Sequence, residues 1–392
     1  MKLRVKRVRD GIYLDNAATT ALSAEVLDAM TECLREQAGN PSSVHGTGRE
    51  AGRALDRARR KTANLLRCET REVVFTSGGS ESDNLAIKGT AFAMRDRGRH
   101  LITSAIEHHA VLRTCRWLEK QGFEVTCLPV DGEGRVNPAD VEKAIRKDTI
   151  LISVMTANNE IGTIQPIAEI GRIARERGVL FHTDAVQAVG AMPLDLSALP
   201  VDLLSLSAHK FHGPKGTGAL FVRDGTRIES LIHGGAQERG LRAGTENLAG
   251  IVGLSKALEK AGEGISERTG RIAALRDLLI RGVRERIPGA VLHGEKAPRL
   301  PGIAHFSFPG VDGEALLLRL DLAGIACSGG SACTSGSHEP SHVLEAIGST
   351  PEEIRSGIRF SLGDTNTEAE IRRTLEILPD IVEDLGGCPG VL

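Results

Sequence analysis

Two spacings of apolar residues alternate along the first two-thirds of the chain. Short β-rich runs at 72–76, 100–104, 124–128, 150–155, 179–183, 203–207 and 218–222 read as seven strands. Amphipathic stretches at 49–66, 84–95, 110–121, 138–146 and 167–177 read as the helices between them. This alternation predicts an α/β fold with a mostly parallel sheet and helices on both faces. In such sheets ligands bind beyond the carboxyl ends of the strands.

The pattern then changes. Two long helices are predicted at 248–260 and 267–287. A smaller α/β set follows, with a strand at 303–308, a helix at 312–322, a strand at 359–362 and a helix at 367–385. Glycines interrupt the helical pattern at 261–265. The expected organisation is a large domain over 15–262 and a small one over 263–392, joined by the N-terminal segment 1–14 and carrying the loop around Cys333. No internal repeat or low-complexity linker occurs.

Composition narrows the classes. The net charge of −2 offers no basic field for nucleic acid. Lys2, Arg4, Lys6, Arg7 and Arg9 precede no apolar stretch of the kind a secretory signal needs, and no run is long enough to span a bilayer. The cytoplasm is the expected compartment. Seven cysteines, odd in number and loosely spaced, are not a disulfide framework, and no CxxC pair suggests zinc. The 45 glycines point to tight turns and close backbone approaches to a ligand.

Several strand ends are followed by residues with chemistry. Ser77-Gly78-Gly79-Ser80-Glu81-Ser82 follows a strand and opens a helix. That arrangement suits a phosphate, though it also suits a simple capped helix start. Asp184 and Gln187 follow the strand ending near Thr183, where a carboxylate either caps a helix or pairs with a protonated ring nitrogen. Lys210 lies just past an apolar strand in Ser207-Ala208-His209-Lys210. A lysine is usually a solvated surface group, but desolvation beside a histidine favours the amine that forms a Schiff base. Together Asp184, Lys210 and the Ser80 loop supply what pyridoxal 5'-phosphate (PLP) requires.

The resemblance is carried by many short motifs. The run from Tyr13 to Thr20 resembles the opening of NifS/IscS-type cysteine desulfurases, PLP enzymes of the class V aminotransferase family. Further matches are Gly39-Asn40-Pro41-Ser42-Ser43, Glu81-Ser82-Asp83-Asn84, Asn158-Asn159-Glu160, Asp184-Ala185-Val186-Gln187, His209-Lys210, Arg242-Ala243-Gly244-Thr245, Ser331-Ala332-Cys333-Thr334-Ser335 and Ile358-Arg359-Phe360. The resemblance implies a type I PLP-transferase fold. It implies that Lys210 holds the cofactor and carries the proton, and that His108 in Glu107-His108-His109 stacks on the ring. Asp184 would meet the ring nitrogen and Gln187 the phenolic oxygen. Gly79, Ser80, Ser207 and His209 would bind the phosphate, with Thr245 reaching the cofactor of the neighbouring subunit of a homodimer. Arg359 would clamp the substrate carboxylate, helped by Asn159, since a guanidinium matches a carboxylate bidentately. Cys333 would accept sulfur from L-cysteine as a persulfide and pass it to an iron–sulfur scaffold or another acceptor. No metal is expected on the chain itself, although Cys333 could ligate a cluster held by a partner.

Cys333 sits among Ser328, Gly329, Gly330, Ser331, Thr334, Ser335 and Gly336, a polar loop suited to a travelling thiol. Cys33, Cys68, Cys115, Cys127 and Cys388 read as structural. Cys327 departs from the family pattern; it reads either as an apolar strand-end residue or as a redox partner of Cys333. Ser80 stands where a threonine is common, and the hydroxyl is kept. His338-Glu339-Pro340-Ser341-His342 matches a zinc-protease string, but Pro340 breaks the helical face that this chemistry needs. Competing readings are a selenocysteine lyase or aminotransferase of the same fold, a catalytically dead assembly scaffold, and a nucleic-acid or membrane module. Cys333 argues against a transaminase. Lys210, His108, Asp184 and Cys333 together argue against a dead enzyme.

Overall fold

The computed structural model describes residues 11–329 and 340–386. Its first half runs β1 (Ile12–Tyr13), α1 (Ala24–Glu36), α2 (Gly46–Leu66), β2 (Val73–Thr76), α3 (Gly79–Ala93), β3 (His100–Ser104), α4 (His109–Glu119), β4 (Glu124–Leu128), α5 (Pro138–Ala144), β5 (Thr149–Ser153), α6 (Ile167–Glu176), β6 (Leu180–Asp184), β7 (Leu203–Ser207) and β8 (Gly218–Val222). The remainder runs α7 (Leu248–Gly262), α8 (Ile265–Arg286), β9 (Val291–Leu292), β10 (Ile303–Ser307), α9 (Gly313–Leu322), β11 (Ile325–Ala326), α10 (His342–Ala346), α11 (Pro351–Arg355), β12 (Gly357–Ser361) and α12 (Glu368–Gly386).

Seven strands form one sheet in the order β2-β8-β7-β6-β5-β3-β4. The pairs β7-β6, β6-β5, β5-β3 and β3-β4 are parallel. Strand β8 runs antiparallel to both β2 and β7. The strands are buried on both faces, and alternate residues serve opposite cores. Ile102, Ile152 and Leu204 face α2, α6 and α7, whereas Leu101, Leu151 and Leu203 face α3 and α4.

A second centre of packing lies in the C-terminal third. Leu279 and Val283 of α8, Phe306 of β10, Leu316 and Leu320 of α9, Phe360 of β12 and Leu375 of α12 share one core. Leu14 and Ile325 belong to it, because β1 pairs in parallel with β11. The β9, β10 and β12 strands make an antiparallel sheet.

Strand ends move by a residue or two from the expected bounds; the 150–155 run, for example, pairs as Thr149–Ser153. Helix α3 begins at Gly79, five residues earlier than its apolar pattern suggests, because its first turn is glycine and serine. Helix α1 was not expected: only Val26 and Cys33 of its 13 residues are buried, too thin a stripe to read. Its N-cap is clear, with the Ser23 side chain accepting the Val26 N–H. Among the described residues no helix is long and apolar enough to cross a membrane.

Candidate active site

The carboxyl ends of β2, β6 and β7 converge on one edge of the large sheet. Gly78 leaves β2 at φ 154°, and α3 starts at the next residue. A Cβ on Gly79 would lie 2.7 Å from Val186 Cγ2, and one on Gly218 would lie 2.7 Å from Gly78 Cα. Only glycines let this loop press against the 184–187 turn and β8. The Ser77 N–H donates to Glu81 at 2.8 Å, and Thr76 Oγ1 meets Ser82 Oγ at 2.8 Å. The first turn of α3 is thereby fixed, with Ser80 exposed and Ser207 near Gly78. Backbone N–H groups, hydroxyls and the end of a 15-residue helix make an anion cradle.

Lys210 closes a single 3-10 turn, Ala208–Lys210, directly after β7. Its Nζ donates to the carbonyls of Ala17 at 2.5 Å and Ala18 at 2.9 Å. Gln187 Nε2 donates to the same Ala17 oxygen at 2.8 Å. The run that follows Tyr13 thus forms a wall of the site. His209 is part of that wall, its Nδ1 lying 3.1 Å from Thr19 Oγ1. Burial, and then Lys210 and Lys215, hold its imidazole down at about 4.

Asp184 ends β6 and is buried. Burial pushes its carboxyl up to about 6, against the Val186 N–H, which donates at 2.9 Å, and the opposing charge of Lys210. His108 caps α4, with Nδ1 accepting the Ala110 N–H at 3.1 Å. The neutral ring therefore carries its proton on Nε2. Burial first, and then Lys210, His342 and Arg113, hold His108 down at about 4. Lys210 thus acts electrostatically on His108, His209 and Asp184 alike.

Arg359 in β12 is 1% exposed. Its Nη1 donates to the Asn159 carbonyl at 2.8 Å and its Nη2 to Asp15 Oδ1 at 2.9 Å, while Nε has no partner. The guanidinium expected to clamp a substrate is here held by Asp15, and Asn159 contributes its backbone. Thr245 is exposed on the segment before α7, which Arg242 ties to Glu81 at 3.0 Å. No hydrogen bond among the described residues joins Thr245 to the Lys210 cluster. Cys333 and His338 lie outside the described residues. Cys327 follows β11 and packs against the second core, and burial pushes its thiol up to about 12. A pKa raised this far disfavours the thiolate at neutral pH, while Cys333, the redox partner of the other reading, is not among the described residues.

The residue reading missed the carbonyls of Ala17 and Ala18, Asp15, and three buried groups behind the cluster: Asp83, Glu107 and His182. Asp83 and Glu107 fall inside quoted motifs. His182 had one available signal, a polar side chain in a strand buried on both faces.

The aminotransferase class-V family pattern matches residues 12–374. A cysteine desulfurase IscS of Dictyoglomus turgidum is 54% identical over 374 residues, covering 95% of this chain and 95% of that one. This chain belongs to the cysteine desulfurases of the aminotransferase class-V family. A solved NifS-like protein superposes with a TM-score of 0.90 at 41% identity, covering 96% of this chain and all (100%) of that one. SspA, solved in complex with cysteine, superposes with a TM-score of 0.81 at 38% identity, covering 91% of this chain and 100% of that one. Enzymes of this family use PLP, and the residues here fit it. An amine, a buried carboxylate, a neutral imidazole and a glycine-lined anion cradle share one sheet edge, and a Cβ on Gly79 would crowd the Val186 methyl at 2.7 Å.

Proposed function

We propose that this chain, a PLP-dependent cysteine desulfurase, converts L-cysteine to L-alanine and leaves the sulfur on Cys333 as a persulfide. When bound, the cofactor supplies an electron sink for the substrate's Cα. The chain's own residues do the rest. Gly79, Ser80, Ser207 and His209 hold the phosphate; His209, neutral at physiological pH, serves as a hydrogen-bond partner rather than a charge. Asp184 is an anion above about pH 6 and pairs with the ring nitrogen. Gln187 meets the phenolic oxygen. His108, neutral with its proton on Nε2, offers a flat face to the ring and a proton donor at its edge. Lys210 anchors the cofactor and moves the Cα proton. Arg359, released from Asp15, and Asn159 orient the substrate carboxylate.

The Cys333 thiolate attacks the substrate sulfur. The sulfur–carbon bond breaks, its electron pair stays with the carbon fragment, and proton uptake completes alanine. The sum is L-cysteine plus a thiol giving L-alanine plus a persulfide, which an iron–sulfur scaffold or another acceptor protein then takes. The SspA relative binds cysteine, which supports the substrate. We place the enzyme in the cytoplasm as a homodimer, with Thr245 serving the neighbouring subunit's cofactor. The two packing centres support a large domain over 15–262 and a small one over 263–392 with the N-terminal segment.

The observation that carries this reading is the convergence of Lys210, Asp184 and His108 at one sheet edge. The test is sulfide and alanine release from L-cysteine with a thiol reductant. Wild type releases both in equal amounts. Cys333→Ala keeps the yellow cofactor and loses at least about a hundredfold in rate. Wild-type release by Cys333→Ala would remove the nucleophile assignment. A wild type inert towards cysteine would remove the function.

A further inference from the structure

Behind Asp184 lies a second carboxylate. Asp83 is in the first turns of α3 and is 1% exposed. Its Oδ1 has no hydrogen-bond partner. The nearest base is His182 of β6, with Nε2 at 3.7 Å from that oxygen. His182 does not neutralise it. Both ring nitrogens are already engaged, Nδ1 with Ser153 Oγ at 2.8 Å and Nε2 with Ser205 Oγ at 3.0 Å. Burial holds the His182 imidazole down at about 3, so it is uncharged. The Ser205 hydroxyl also serves Asp83.

The other groups around Asp83 are no better placed to balance a charge. Strands β2, β5, β7 and β8 contribute no ionisable side chain. From β6 it faces Asp184, and from the turn before α4 it faces Glu107, both acids. A buried carboxylate with an oxygen lacking any donor, beside two further acids, is held as the neutral acid. Asp184, though also buried among acids, is better compensated: its Oδ1 accepts the Val186 N–H at 2.9 Å, and Lys210 supplies an opposing charge.

We infer that Asp83 is a positioning residue for Asp184: as an uncharged acid buried behind the ring-nitrogen carboxylate, it leaves the pair one negative charge and places that charge on Asp184. Two neighbouring buried carboxyls titrate as a unit, and the proton goes to the member that has an unpartnered oxygen and no opposing charge. Burial and the neighbouring Asp184 both push Asp83 upward, in agreement with the geometry. The inference rests on the reading of Asp184 as the ring-nitrogen partner.

The experiment uses holoenzyme with carboxyl-labelled aspartate and isotope-edited infrared spectroscopy, beside cofactor dissociation constants, at about pH 8. Wild type shows the carbonyl stretch of a protonated aspartate, and Asp83→Asn lacks it. Asp83→Asn, a neutral isostere, binds PLP within about threefold of wild type and keeps its absorption maximum. Asp184→Asn weakens PLP by more than about tenfold and shifts that maximum. Absence of the protonated band in wild type overturns the inference. So does a loss of cofactor in Asp83→Asn equal to that in Asp184→Asn, since the charge would then sit on residue 83. If Asp83→Asn does not fold, Ser205→Ala replaces it: a wild-type band that fails to shift when this hydroxyl is removed does not belong to Asp83. If Asp184→Asn behaves as wild type while the band is present, the ring-nitrogen reading fails separately.

Discussion

Glu107 stands one residue before His108 and is fully buried. The Ser104 hydroxyl donates to its Oε1 at 2.5 Å and the Met155 N–H at 2.9 Å, while Oε2 has no partner. Burial pushes this carboxyl from 4.5 up to about 8, so the fold holds it uncharged at neutral pH. An unfolded chain releases that proton near 4.5. Between the two values the native state binds more protons than the unfolded one, so its stability falls as pH rises through this window. Glu107→Gln removes the titration. It should be more stable than wild type by a few kcal/mol at about pH 9 and lose that advantage below about pH 4.5. Denaturant unfolding at the two pH values measures this. An advantage that grows toward acid pH would mean that Glu107 is charged in the fold. The carbonyl of the same residue accepts from His342 Nε2 at 2.9 Å, and the His342 ring lies 4.7 Å from that of His109. One short segment therefore ties α10 to the wall that carries His108.

At the scale of elements, a buried ion pair joins α2, β2 and the turn at Gln237–Gly240. Glu238 and Arg239 both sit at positive φ, 46° and 58°, a conformation that costs a non-glycine residue about 1–2 kcal/mol. Arg59 of α2 holds the turn there. Its Nη1 and Nη2 each donate to Glu238 at 2.6 Å, the Phe75 N–H donates to Glu238 at 3.0 Å, and Arg239 donates to the Val73 carbonyl at 2.8 Å. Arg59→Met leaves Glu238 buried without its partner and should cost about 3–5 kcal/mol in denaturant unfolding. The double variant Arg59→Met, Glu238→Met should lose less than the single one. Additive losses would mean that the pair is not coupled. Nothing in the sequence announces a bond across 179 residues. The strands were legible because burial on both faces makes β5 and β7 rich in Ile and Leu, with only threonine and serine between them. The reversed direction of β8 was legible in principle, since a parallel return needs a crossover helix and 208–217 contains only one 3-10 turn. Lys210, Asp184 and Gly79 were legible because each stands at or just beyond the carboxyl end of a strand. The carbonyls of Ala17 and Ala18 were not, because backbone groups carry no sequence signature. Asp83 and Glu107 look like ordinary surface acids until packing buries them.

For the whole molecule the question is how many chains make one site. The N-terminal run reaches across both packing centres: Leu14 lies in the second core, Asp15 holds Arg359, and Ala17 and Ala18 receive Lys210. Within one protomer the site thus draws on both ends of the chain, yet Thr245 stays exposed and apart. If Thr245 serves the neighbouring subunit, each site takes Lys210 from one chain and Thr245 from the other. Loss of a hydrogen bond to a charged phosphate costs about 1.5–3 kcal/mol, so Thr245→Ala should weaken PLP about tenfold or more. At PLP concentrations that leave this variant mostly empty, both it and Lys210→Ala are inactive alone. Refolded together in equal amounts, half of the dimers are hybrids. Each hybrid has one site with both defects and one site with neither, so about a quarter of wild-type desulfuration should return. If both residues belonged to the same protomer's site, every hybrid site would carry one defect and mixing would restore nothing. The amount of activity recovered therefore reads the connectivity of the site directly, independently of how tightly the dimer itself associates once formed.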